Sequence, residues 1–235
     1  MTRERLNVPA QPVREWAHGL AYELACKQLA GITDIARQCR KSGARFLPAE
    51  KSVIIDHLGR SYRITIPGGG VSLVAGDESV PLRDKILILH YFTRAAGTPL
   101  SGKIITYKEL HEGINYYPTF FKRAIEPVIN YFKDEPLKLL DIATELGGRK
   151  SDYGDIAVTI NAFPCVPLTI VLWQGDKEFP PDGNIMFDST ISDYLPTEDI
   201  TILCEMIAWR LVRLARQSLD TGGLLKTGGD SPGNR

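Results

Sequence analysis

A chain of 235 residues is long enough to bury a real hydrophobic core, and 43% hydrophobic with 24% charged residues is the balance of a globular protein. The formal net charge is zero, which provides no overall field for binding nucleic acid or an anionic membrane. No apolar run approaches the roughly 18 residues that a membrane helix needs, and the first residues lack the apolar core of a signal peptide. We therefore expect a cytoplasmic protein that binds neither nucleic acid nor membrane.

The first third of the chain predicts helix followed by strands. Residues 1–12 are expected to form a flexible N-terminus. Apolar residues at roughly helical spacing predict one helix over 13–42, or two helices with a break near Gly31, and Gly43 suits a helix C-cap. Three strands separated by glycine-containing turns should follow, at 53–56, 62–66 and 71–74.

The middle of the chain predicts several helices. Pro81 and Gly97 delimit a segment whose centre is apolar all round, so we expect it to be a buried central helix. A short strand that runs into a helical turn is predicted within 101–113. Two further helices should follow, separated by Pro136 and with a kink at Pro127 in the first of them.

The last third predicts a sheet and a C-terminal helix. Thr197 precedes Glu198 and Asp199 at a favourable helix start, and apolar residues then repeat at helical spacing up to residue 218. The glycine-rich tail, 219–235, should be disordered. The strands are predicted at 156–162, 168–173 and 184–188. The expected fold is a single α+β domain over 13–218, with mixed or antiparallel sheet segments packed by the long N-terminal, central and C-terminal helices.

Residue types that bind metals are few and scattered. The four cysteines form no CxxC or CxxH pair, which predicts free thiols and no zinc or iron–sulfur site. His18, His57 and His111 are expected on the surface or in turns. His90 lies in the middle of the predicted buried helix, either as a core residue or as the axial ligand of a tetrapyrrole or another buried metal.

Carboxylates, prolines, glycines and aromatic residues follow an apolar run within 161–188. Asp176 and Glu178 come soon after the predicted strand end at Trp173, so both would project from a loop at one edge of the sheet. Two carboxylates at this spacing can share a cation or act as an acid/base pair. The sequence "QGDKEF" is also typical of a plain reverse turn, and both interpretations stay open.

The aromatic neighbourhood of these carboxylates favours a pocket. Aromatic surface with a few polar groups is what a flat cofactor needs, and the two prolines after Phe179 would stiffen the loop. The apolar wall would consist of Phe163, Trp173, Phe179 and Phe187. The polar rim would consist of Tyr107, Glu109, Asp155, Asp176, Glu178 and Asp188.

Three stretches resemble a known family. They are "RQCRKSGARF" (37–46), "ILILHYFTRAAGTPLSGKIITYKELHEG" (86–113) and "YGDIAVTINAFPCVPLTIVLWQGDKEFPPDGNIMFDSTISDYLPTED" (153–199). Together they resemble the domain-of-unknown-function 3786 family of anaerobic bacteria and archaea, which has no established reaction. Some relatives carry a four-cysteine iron–sulfur segment like that of corrinoid iron–sulfur proteins, which this chain lacks. The resemblance implies a link to corrinoid or one-carbon metabolism, with a corrinoid or iron–sulfur protein as partner.

Three functions therefore stay open. The favoured one is a cofactor-binding or accessory protein that binds a corrinoid or haem, or that assists a corrinoid protein in anaerobic one-carbon metabolism. The second is an enzyme that uses Asp176, Glu178 and Asp188 as acid/base or metal-binding carboxylates. The third is a protein-interaction scaffold. The chain contains no nucleophile elbow, phosphate-binding loop or HExxH pattern, so an enzyme is the less favoured interpretation.

Overall fold

The computed structural model describes residues 10–224 and the side chains of residues 18–218. Helices and two antiparallel sheets make up this range, so the predicted α+β class is confirmed. The first helix already begins at Ala10 and the last one continues to Leu224, beyond the predicted bounds of 13 and 218. The remainder of the predicted flexible N-terminus and of the predicted disordered tail lies outside the described residues.

The chain groups into two compact units. One consists of residues up to Asp56 with Ser61–Gly97, and the other of His57–Arg60 with the chain from Thr98 onward. The expectation of one domain over 13–218 stays a prediction, and each unit is described by itself.

The first unit combines three helices with an antiparallel sheet. Of the two alternatives predicted for 13–42, the structure has two helices with a break near Gly31, because one helix ends at Ala30 and Asp34 caps the next by accepting a hydrogen bond from the Arg37 N–H. Gly43 ends that second helix in the left-handed conformation, with φ of 67°, as predicted for a C-cap. The helices are α1 (Ala10–Ala30), α2 (Ile35–Ser42) and α3 (Leu82–Arg94). The strands, adjacent in chain order, are β1 (Arg45–Leu47), β2 (Ser52–His57), β3 (Arg60–Thr65) and β4 (Val71–Leu73).

Helix α3 is the buried helix that the sequence predicted. Tyr91 and Phe92 are fully buried, and so is the run of apolar residues from 87 to 89. Gln38 on α2 donates a hydrogen bond to the Phe92 carbonyl, and Tyr91 donates one to the Ser42 carbonyl. These bonds satisfy polar groups that are buried between the two helices, which fixes α2 against α3.

The second unit contains a five-stranded antiparallel sheet with helices. Its strands are β5 (Ile104–Thr106), β6 (Gly148–Ser151), β7 (Ile156–Phe163), β8 (Val166–Trp173) and β9 (Asp182–Asp188), in the spatial order β5-β9-β8-β7-β6. Its helices are α4 (Gly113–Phe120), α5 (Glu126–Phe132), α6 (Lys138–Thr144) and α7 (Thr197–Leu224). Strand β6 was not predicted, because "GRKS" has no apolar residue and pairs through its backbone.

The predicted kink at Pro127 takes the form of a π-helical turn. Residues Phe121–Ile125 form this turn between α4 and α5. Pro127 has no N–H to donate to the carbonyl four residues earlier, so the α-helical hydrogen-bond ladder is interrupted at this point. Such turns inside helices are frequent at functional sites.

Candidate functional site

The strand register places the predicted site residues at opposite ends of the second sheet. Trp173 at the end of β8 pairs with Asp182 at the start of β9, whereas Phe187 pairs with Leu168 near the other end. Asp182 and Asp188 are six residues apart on one strand, so about 20 Å separates them at the usual rise per residue. The carboxylates predicted to form one rim therefore fall into two groups.

At one end of the sheet lies the segment 173–182, here called the aromatic loop. Asp176 organises it, since its Oδ1 accepts hydrogen bonds from the backbone N–H groups of Glu178 and Phe179 at 2.7 and 2.8 Å. The Asp176 N–H in turn donates to the Phe179 carbonyl at 2.9 Å. The hydrogen bonds from Phe179 and Glu178 lower the pKa of Asp176. Asp176 is therefore ionised at neutral pH and holds the turn closed.

Two further contacts fix where the aromatic loop begins. The Asp155 Oδ2 accepts a hydrogen bond from the Gln174 N–H at 2.8 Å, which ties the loop to the start of β7. A Cβ on Gly175 would lie 2.6 Å from the Cδ of Pro181, so a side chain at this position would collide with the other arm of the loop. The sequence pattern of a reverse turn thus describes the backbone here correctly.

The aromatic loop exposes two large aromatic side chains. Phe179 is 68% exposed and Trp173 is 40% exposed, although each carries a large apolar surface. Phe179 is one of the residues that line an open depression of about 560 Å³, together with Lys133, Asp134 and the rest of 174–181, and Trp173 directly precedes this lining segment in the chain. Exposed aromatic residues on a constrained loop are a common feature of binding surfaces.

Phe163 and Phe187 are not part of an open pocket wall, and this part of the prediction is wrong. Each is only 1% exposed, because each side chain points into the apolar core of the second unit. The alternation in "NIMFD" puts Phe187 on the same sheet face as the buried Ile185. Of the four predicted wall residues, Trp173 and Phe179 therefore remain at the surface.

At the other end of the sheet, Asp188 is a buried structural anion. Its Oδ1 accepts hydrogen bonds from the N–H and hydroxyl of Ser101 and from the N–H and hydroxyl of Thr190, and its Oδ2 accepts one from the Gly102 N–H at 2.7 Å. Burial alone would raise the pKa of Asp188, but the hydrogen bonds from Thr190 and Ser101 lower it well below its usual range. Because its oxygens are occupied in this way, Asp188 is not placed to serve as an acid/base group or a ligand-binding rim.

Tyr107 and Glu109 stabilise the turn that follows β5. The Tyr107 ring is fully buried, stacks on Phe120 with ring centroids 3.7 Å apart, and shares a 2.7 Å hydrogen bond between its hydroxyl and that of Thr201. Glu109 accepts hydrogen bonds from the N–H and hydroxyl of Thr106, which completes a capping box. These contacts give both residues a structural role apart from the aromatic loop.

The histidines differ from the sequence-based expectation in one important case. His57 was expected on the surface or in a turn. It is the last residue of β2 and is fully buried, with its Nδ1–H donating to the Ala162 carbonyl at 2.8 Å and its ring stacked on Phe163 with ring centroids 4.4 Å apart. Burial lowers the pKa of His57 to about 3. The apolar run Val53–Ile55, just before His57, is the sequence feature that could have indicated a buried strand extending to His57. His90 is half-buried and lies on α3 of the first unit.

Metal-binding residue types do not cluster in the part of the chain that the structure describes. No group of three or more histidine, cysteine, aspartate or glutamate side chains there could hold a metal ion. None of the four cysteines, all of which lie in the described range, forms a disulfide. Among the described helices, none is both long and apolar enough to cross a membrane.

The fold and its exposed loop define an α+β protein that presents a constrained aromatic surface. The family model described as a domain of unknown function, DUF3786, matches residues 34–210. The chain belongs to this family, which confirms the resemblance seen in the sequence. Comparison with curated proteins and with solved structures gives no match.

Proposed function

We propose that the chain is an accessory binding protein whose recognition surface is the aromatic loop. The ligand we propose is a large flat tetrapyrrole, either a corrinoid or haem, which the protein exchanges with a corrinoid or iron–sulfur protein partner. The observation that carries the proposal is the exposure of Phe179 and Trp173 on a loop held closed by Asp176.

A flat conjugated ligand matches this pair of aromatic side chains. Trp and Phe offer large apolar faces, and they prefer offset-stacked or edge-to-face contact with other rings. Their exposure leaves apolar area in water. A ligand that covers this area would bind with a favourable hydrophobic contribution to the free energy. The hydrogen bonds of Asp176 and the close approach of Pro181 to Gly175 reduce the freedom that the loop would lose on binding.

The charged residues around the depression suit the edge of such a ligand. Lys133 and Lys177 line it together with Asp134 and Glu178. The ammonium groups can pair with the propionates of haem, and the carboxylates can accept hydrogen bonds from the amide groups of a corrinoid. The depression is open, so we propose that the tetrapyrrole binds with one face or edge against the loop. The residues that line it include no histidine or cysteine, so the proposal assigns no axial ligand there.

A binding function is better supported than the carboxylate enzyme that the sequence left open. That enzyme would need Asp176, Glu178 and Asp188 at one centre. The register separates Asp188 from the other two by the length of β9, and its oxygens already accept hydrogen bonds from Ser101, Gly102 and Thr190. Acid/base groups must lie within hydrogen-bonding reach of one substrate.

Titration with hydroxocobalamin and with hemin tests the proposal. We expect saturable binding to the full chain, followed by the absorption spectrum and by quenching of tryptophan fluorescence. Phe179→Ala and Trp173→Ala should each weaken it by roughly 10-fold or more, the effect of removing an aromatic anchor. Tyr116→Ala is the matched control, because Tyr116 is also exposed, at 56%, but lies on α4.

The Asp176 variants separate the shape of the loop from its charge. Asp176→Asn keeps an oxygen that can accept the Glu178 and Phe179 hydrogen bonds, whereas Asp176→Ala removes it. We expect the alanine variant to bind more weakly than the asparagine variant. Absence of saturable binding of either tetrapyrrole, or equal binding by wild type and both aromatic variants, would refute the proposed function.

The hypothesis that His90 is an axial ligand has its own test. If the tetrapyrrole binds at the aromatic loop, His90→Leu should leave both the affinity and the absorption spectrum of the hemin complex unchanged. Loss of an axial imidazole changes the electronic spectrum of haem iron. A spectral shift in His90→Leu at full occupancy would show that His90 is an axial ligand of the haem iron.

A further inference from the structure

A second surface with the features of a ligand site lies between α5 and α7. Trp209, Val212 and Arg216 follow each other at intervals of three and four residues, so they share one face of α7. Lys122 in the π-helical turn and Glu126 and Asn130 on α5 line the facing side. These side chains, with Pro127 and Tyr131, enclose a cavity of about 340 Å³, here called the α5–α7 groove.

The Tyr131 hydroxyl is an unusual feature of this groove. It is buried, and it has no hydrogen-bond partner among the residues that the structure describes. Buried hydroxyl groups nearly always have a partner, because leaving one unpaired costs free energy. Tyr131 lines the groove, so a ligand there could provide the missing partner.

The groove combines apolar surface with a positive end. Trp209 is 51% exposed although it is the largest apolar side chain in the groove, and the buried Val212 contributes to the floor. The Arg216 guanidinium lies 5.8 Å from the centre of the Tyr131 ring. With Lys122 it gives two cations against the single carboxylate of Glu126, so the lining carries a net positive charge.

We propose that the α5–α7 groove binds a small aromatic molecule that carries one negative group, such as an aromatic carboxylate or sulfonate. The ring stacks on Trp209, and the negative group pairs with Arg216 and Lys122 and accepts a hydrogen bond from Tyr131. The volume lies at the lower end of the range that small-molecule sites occupy, roughly 300–1,000 Å³. The π-helical turn that carries Lys122 is a feature often found at functional sites. This site is separate in sequence and in lining residues from the aromatic loop, and it does not depend on the proposed function.

The probe is 8-anilinonaphthalene-1-sulfonate, a fluorescent aromatic anion, titrated into the full chain. We expect one saturable site per chain. Trp209→Ala and Arg216→Ala should each weaken binding by roughly 10-fold or more, as expected for loss of an aromatic or arginine anchor. The matched controls are Arg213→Ala, an exposed arginine on α7 outside the groove, and Trp173→Ala on the aromatic loop.

Tyr131→Phe distinguishes a ligand site from a merely structural role. Removal of an unpaired buried hydroxyl should leave the thermal unfolding midpoint unchanged or raise it, while binding of the probe weakens several-fold. The proposal is overturned if the probe does not saturate at one site, or if Trp209→Ala and Arg216→Ala bind it like wild type. It is also overturned if Tyr131→Phe leaves binding unchanged. We expect Trp173→Ala to weaken the tetrapyrrole titration and to leave binding of the probe unchanged, so failure of one proposal is distinguishable from failure of the other.

Discussion

Replacement of Asp188 by asparagine is expected to lower the free energy of unfolding by about 3 kcal/mol, the cost of breaking a buried network of hydrogen bonds to a charged group. The asparagine oxygen can take over one set of bonds, from Ser101 and Thr190. In the wild-type protein the Gly102 N–H donates to Oδ2 at 2.7 Å, and in the variant the amide NH₂ must face this N–H. Two donors would oppose each other in a site where Asp188 is only 5% exposed.

Chemical denaturation followed by circular dichroism measures this loss. Asp176→Asn is the matched control, since it makes the same chemical change in an exposed turn where the asparagine oxygen can keep both hydrogen bonds. We expect its denaturation midpoint to fall much less than that of Asp188→Asn. If Asp188→Asn were as stable as Asp176→Asn, the contacts around Asp188 would not be what joins β9 to the segment 101–102.

The secondary structure was predictable because its signals are local. The break at Gly31 and the cap at Gly43 depend on backbone preferences of glycine, which a sequence displays directly. Strand β6 was missed because "GRKS" has no apolar alternation and is held by backbone pairing with β7. Periodicity reports burial of side chains, and it carries no information on a strand that lies at a sheet edge with polar side chains.

The candidate site was predictable only in part, for reasons that differ between residues. The turn at Asp176 was predictable from adjacent residues, because the hydrogen bonds that close it come from Glu178 and Phe179. Asp188 depends on Ser101, 87 residues away, so no local pattern could reveal that its oxygens are occupied. Phe187 was misassigned because aromatic character was given more weight than strand alternation, which already placed it beside Ile185 in the core.

His57 shows how a residue type can mislead, since this histidine was expected on the surface or in a turn. Its side chain is instead fully buried, with Phe163 stacked on the ring and the Ala162 carbonyl accepting the Nδ1–H. Burial is the main cause that lowers its pKa to about 3, and the positive charge of Arg210 acts in the same direction. The imidazole is therefore neutral in the folded protein at any pH near 7.

This burial predicts a specific loss of stability in acid. The unfolded chain takes up a proton at His57 near pH 6.5, and the folded chain does so only near pH 3. The contribution of the neutral, buried His57 to the free energy of unfolding is therefore complete above pH 6.5 and is lost as the pH falls towards 3. Between pH 7 and pH 4, this one group should lower the free energy of unfolding by about 3 kcal/mol.

His57→Phe removes the titrating group and keeps a ring that can stack on Phe163. The Ala162 carbonyl loses the imidazole donor but still accepts the Leu58 N–H at 3.3 Å, so we expect a cost of about 1 kcal/mol at pH 7. Urea denaturation at a series of pH values should give a flatter curve for His57→Phe than for wild type, with the two converging and then crossing in acid. His111→Phe, at an exposed position, should keep the wild-type slope. Parallel curves for His57→Phe and wild type would mean that His57 takes up its proton at the same pH in the folded and the unfolded chain. The buried stack on Phe163 opposes this, because a charged imidazolium there would be removed from water.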